Sequence, residues 1–135
     1  MITLEQYAGK WIEHADFNDA CKKNAVILLD RVNQLIDSAN RAGIELKDNP
    51  TTGSLVSGTQ YGGFRPQSCP EGAPKSSHKT GQAIDIYDPQ GKLDDWINDA
   101  ILTQFDLYRE SPTYTKGWCH LSTRSPKSGK RTFIP

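Results

Sequence analysis

Ser76-Ser77-His78-Lys79-Thr80-Gly81-Gln82-Ala83-Ile84-Asp85 sets an imidazole a short way ahead of a carboxylate, and Gly117-Trp118-Cys119-His120 supplies a second imidazole downstream. Two imidazole nitrogens and one carboxylate oxygen suit a divalent metal, zinc above all. A catalytic zinc keeps three protein ligands and leaves the fourth position to water or substrate. The residue types therefore predict a zinc site at His78, Asp85 and His120, and hydrolysis as its chemistry.

The elements that carry these residues follow from their neighbours. Gly81 breaks any helix between His78 and Asp85, and the β-prone Ala83-Ile84-Asp85-Ile86-Tyr87 reads as a strand fed by a loop. Alternation along that strand puts Ala83, Asp85 and Tyr87 on one face and Ile84 and Ile86 on the other. In Trp118-Cys119-His120-Leu121 the same rule joins Trp118 with His120 and turns Cys119 and Leu121 the opposite way, so Cys119 is not expected as a ligand or as a dyad partner of His120.

The run Val56-Ser57-Gly58 through Gly63-Phe64-Arg65-Pro66, the Ser76 to Asp85 motif and Gly117-Trp118-Cys119-His120 together resemble the zinc D-alanyl-D-alanine peptidase family. That family includes D,D-carboxypeptidases, D,D-dipeptidases and phage L-alanyl-D-glutamate endopeptidases, and shares its fold with Hedgehog signalling domains. The resemblance spans residues 24–135, and the closing Ser125 to Pro135 segment is similar to the end of small phage-type members. It implies a Hedgehog/DD-peptidase-like α+β fold and a zinc metallopeptidase that hydrolyses the peptidoglycan stem peptide, either as a D-Ala-D-Ala carboxypeptidase or as an L-Ala-D-Glu endopeptidase. His78, Asp85 and His120 match the metal ligands. Arg65 matches the arginine that receives a substrate carboxylate or the carbonyl on which charge develops, a task suited to a permanently charged, bidentate guanidinium. Ser76 matches the motif serine expected to bond substrate, and Trp118 is expected to line the same site.

One position departs from the pattern. Many members carry a glutamate as general base three residues before the last histidine, and here that residue is Gly117. Glu110 is the replacement expected, at the end of a strand spanning Phe105 to Glu110 that a turn over Ser111 to Gly117 folds back toward His120. Asp106 and Asp88 are lesser options. The missing glutamate also supports a different class, a catalytically weak zinc-containing domain that binds peptidoglycan or serves as a virion component.

Composition bounds the rest. A chain of 135 residues is expected to form one domain with one modest core, and sixteen acidic against sixteen basic residues give no global pull toward nucleic acid or membrane. Peptidoglycan is the expected partner, and a monomer the expected state. Arg124, Lys127, Lys130 and Arg131 form a basic tail that reads as a solvated segment. The three cysteines fit a reduced compartment, with Cys21 packed in a helix and Cys69 expected as an exposed loop thiol. His14 reads as a surface residue. The N-terminus has neither a basic start nor an apolar run, which predicts synthesis in a bacterial cytoplasm and action on the wall after lysis, holin release or carriage in a phage particle.

The scaffold is drawn by periodicity. Ala25, Val26, Leu28, Leu29, Val32, Leu35, Ile36 and Ala39 predict a core-facing helix stopped at Gly43, and Leu93, Trp96, Ile97, Ala100 and Ile101 a second one after a turn at Asp88-Pro89-Gln90-Gly91. The order predicts helices packed on a small, mainly antiparallel sheet.

Overall fold

A computed structural model describes all residues, Met1–Pro135. Four helices and a four-stranded mixed sheet make an α+β fold: α1 (Leu4–Ala8), α2 (Asp19–Arg41), β1 (Ala83–Asp88), α3 (Lys92–Trp96), α4 (Asp99–Phe105), β2 (Tyr108–Glu110), β3 (Gly117–Ser122) and β4 (Thr132–Phe133). No helix is long and apolar enough to cross a membrane.

The long helix α2 forms the main helical wall. Asn18 caps it by accepting from the Cys21 amide, and the chain leaves it through Gly43, whose φ of 88° is open to glycine at little cost. Ala25, Leu28, Leu29, Val32, Leu35, Ile36 and Ala39 are buried as their spacing predicts, whereas Val26 lies 58 % exposed at the edge of the stripe. Helix α1 escaped the periodicity because it is only five residues long. Its signal was local, a capping box in which Thr3 and Gln6 satisfy each other's backbone amides. Asn33 pins the N-terminus to α2, its side chain bonding both the amide and the carbonyl of Ile2 at 2.8 and 3.0 Å.

The sheet runs β1-β3-β2-β4. β3 pairs antiparallel with β1 and β2, while β4 joins β2 in parallel, so the expected mainly antiparallel sheet has one parallel edge. Ile84, Ile86, Cys119 and Leu121 are fully buried on one face and join α2 in one continuous core. The opposite face carries the chemistry. Beyond β1, residues 55–62 make an irregular border: Tyr87 N–H donates to the Leu55 carbonyl (2.7 Å), Ser57 N–H to Asp85 (2.9 Å) and Asp85 N–H to Gly62 (2.7 Å). Asn49 secures this border from below, donating from one amide nitrogen to the carbonyls of Val56 and Gly58.

Three expectations are corrected. The helix over Leu93 to Ile101 is two helices, because Ile97 turns extended (φ −70°, ψ 136°) and Asn98 caps a new start by accepting from the Ile101 amide. Ala100 is then exposed, and Leu102 takes its place in the core. The strand expected from Phe105 begins only at Tyr108, since Phe105 ends α4 and Asp106 reverses the chain at φ 52°. Cys69 is buried rather than an exposed thiol.

Candidate metal centre

Asp85 and His120 face each other across the β1–β3 ladder, which pairs them directly. Residues paired this way project to the same face, here the one opposite Ile84, Ile86, Cys119 and Leu121. His78 arrives from a short 3-10 turn, Ser77–Thr80, that Ser76 caps by accepting from the His78 amide at 3.3 Å. Gly81 ends the turn in the left-handed region (φ 76°), hard against the Cys21 carbonyl of α2.

The three side chains converge. His78 Nε2 lies 3.4 Å and His120 Nδ1 2.9 Å from Asp85 Oδ1, and one ligand atom from each residue falls within 4.8 Å of the others. Four ligands at about 2.0–2.1 Å from a tetrahedral ion stand about 3.3 Å apart; the His78–Asp85 separation is close to that edge, whereas His120 Nδ1 and Asp85 Oδ1 stand at hydrogen-bond distance. The donor set fits a metal chemically as well. A carbonyl only accepts, so the 2.8 Å contact of His78 Nδ1 with the Gly63 oxygen places the ring proton on Nδ1 and leaves the Nε2 lone pair free toward Asp85. Burial pushes the Asp85 carboxyl up, yet the charge and hydrogen bonds of the two imidazoles, when their protons face it, outweigh burial and hold the group well below the usual carboxylate range; a metal ion would take the place of those protons. The three residues thus form a group able to hold a metal ion.

Neighbouring side chains complete the site. Arg65 Nη2 stands 3.6 Å from Asp85 Oδ2, and its Nε donates to the Tyr61 carbonyl at 2.7 Å. Arg65, Asp85 and Trp118 share one cleft of about 310 Å³ with Tyr61 and Glu71. Ser76 caps the turn by accepting from the His78 amide, which leaves its hydroxyl proton free to donate.

Glu110 lies on the same face. The β2–β3 register, Tyr108 with Ser122 and Arg109 with Leu121, leads Glu110 toward His120, and β4 sets Phe133 opposite Glu110. A row therefore crosses the sheet from Asp85 through His120 and Glu110 to Phe133, whose ring meets His120 edge-on at 6.1 Å. Burial raises the Glu110 carboxyl, against the pull of His120 and with the push of Asp85. The two lesser options are engaged elsewhere. Asp88 caps α3 by accepting from the amides of Leu93 and Asp94, and Asp106 pairs with Arg31 and Arg131. Gly117 has φ 98°, a conformation L side chains rarely adopt, so a glutamate there would strain the entry to β3.

Gly62, Gly63, Tyr61, Glu71 and Phe133 were not singled out from the sequence. The adjacent glycines were the readable signal: a Cβ on Gly62 would collide with the Ser57 carbonyl and one on Gly63 with the Tyr7 carbonyl. Comparison with protein-family models, with curated proteins and with solved structures finds no match to this chain.

Proposed function

We propose that this chain is a zinc-dependent peptidase acting on the peptidoglycan stem peptide, with a Hedgehog/DD-peptidase-like fold. The observation that carries the reading is the alignment of Asp85, His120 and Glu110 on one face of the sheet, with His78 closing the ligand group. His78 through Nε2, Asp85 through its carboxylate and His120 through Nδ1 would hold the metal. Zinc in that place supplies Lewis acidity toward a peptide carbonyl and acidifies a water.

The chain's own residues do the rest. Glu110, poised upward by burial, accepts the proton of the attacking water as its oxygen bonds the carbonyl carbon. The same carboxyl then delivers that proton to the departing nitrogen as the C–N bond breaks. Arg65 offers its guanidinium either to a substrate carboxylate or to the negative charge that develops on the carbonyl oxygen. Trp118 forms an aromatic wall of the cleft. A role in phage or prophage lysis suits a wall-degrading peptidase of this size.

Digestion of purified peptidoglycan by zinc-loaded protein, with fragments identified by mass spectrometry, tests the reading. Loss of terminal D-alanine establishes a carboxypeptidase, and new L-alanine carboxyl termini on the glycan-linked fragments establish the endopeptidase. Undigested wall in the presence of bound zinc would overturn hydrolysis in favour of a peptidoglycan-binding or virion structural domain.

A further inference from the structure

The loop of residues 67–75, between Arg65 and His78, is tied down by charged groups at three places. Lys79, only 5 % exposed, donates its ammonium to the carbonyls of Gln67 and Cys69 at 3.2 and 3.1 Å. Asp16 accepts from the Gln67 amide at 2.9 Å, and Arg124 donates to the Lys75 carbonyl at 2.6 Å. Burying an ammonium is costly unless it is hydrogen-bonded, so Lys79 makes these loop carbonyls its necessary partners. Within the ties Gly72 takes φ 81° and packs on Arg65, where a Cβ would stand 2.8 Å from Nη1. This fixes Glu71 on the wall of the cleft shared by Arg65, Asp85 and Trp118. Arg65 and Asp85 pair with each other, whereas Glu71 takes part in no ion pair.

We propose that Glu71 forms a subsite for a primary ammonium of the substrate, beside the Arg65 position that receives a carboxylate. The inference rests on the peptidase reading and narrows its substrate class. In a stem peptide the group of that chemistry is the side-chain amine of the diamino acid. Cross-linking converts it to a neutral amide, so the subsite selects stems whose amine is still free. A carboxylate–ammonium contact in an open cleft is worth roughly a three- to tenfold preference, weakened by salt.

Two synthetic stem peptides, identical except that this amine is free in one and acetylated in the other, test the subsite. Their dissociation constants are measured by calorimetry on zinc-loaded Glu110→Gln protein with and without Glu71→Gln, and their kcat/KM on protein with Glu110 intact. The free amine is expected to bind about three- to tenfold more tightly, with Glu71→Gln abolishing the difference and leaving affinity for the acetylated peptide unchanged. Equal affinities, or a preference that survives Glu71→Gln, overturn the subsite. Equal affinities with both peptides hydrolysed leave the peptidase reading standing without it. A Glu71-dependent binding preference without hydrolysis by the intact protein keeps the subsite and removes the peptidase, and failure to bind either peptide overturns both.

Discussion

His78 presents Nε2 to the site because the Gly63 carbonyl occupies Nδ1, and Gly63 keeps that place against the Tyr7 backbone only because it lacks a side chain. Gly63→Ala should therefore cost about 1–3 kcal/mol of stability from overpacking and also weaken zinc affinity, measurable by urea titration and by competition with a chelating dye. A loss of stability with unchanged zinc affinity would separate the glycine from the ligand. Glu110→Gln should keep zinc and lose about 100-fold or more in kcat/KM. The base must be ionised, so activity of the zinc-loaded protein should fall on the acid side as Glu110 takes up a proton. In Glu110→Gln that acid limb should disappear from the pH profile. His78, Asp85 and His120 were legible because a ligand has to be one of a few residue types and strand alternation gives its side. The Gly63 carbonyl was not, since every residue has one and only tertiary contact selects it.

Helix α3 and strand β2 are joined behind the sheet by a buried pair that sequence spacing does not reveal. Arg109 Nη1 donates to the Asp94 carbonyl at 2.7 Å and reaches the Asp94 carboxylate only at 3.4 Å. The weak carboxylate contact explains why burial wins and pushes the Asp94 carboxyl up despite the adjacent guanidinium and the Cys119 thiol. Arg109 also reaches Thr132 of β4, so one side chain holds three elements around Glu110. Arg109→Ala strands Asp94 and should destabilise the protein by about 3 kcal/mol, read as a lower urea midpoint. The break between α3 and α4 shows the limit of periodicity: in one continuous helix Leu102 would lie about 180° round from Leu93, and the new start capped by Asn98 turns it into the core beside Leu93 and Ile97. Asn98→Ala should cost about 1 kcal/mol without altering zinc binding.

At the scale of the whole molecule the α+β class was legible from the alternation of helical and strand patterns, but the parallel edge was not. Thr132-Phe133 is too short to carry a pattern, and it pairs with β2 only because the intervening chain returns along that side. Its placement still matters to the site, since Phe133 walls His120. The three cysteines are free, so no covalent link supports the 78–120 assembly, and a bound metal should add to stability. Zinc at a free concentration of about 100 times its Kd should contribute about 2.7 kcal/mol, seen as a Tm that falls with a chelator and recovers on adding zinc. The most direct measurement is elemental analysis of protein exposed to zinc and desalted, for the unsubstituted chain, Glu110→Gln and His120→Ala. One zinc per chain in the first two and a marked loss in His120→Ala is the expected result. Absence of zinc from the unsubstituted chain, or equal zinc in His120→Ala, would contradict a metal centre built from His78, Asp85 and His120.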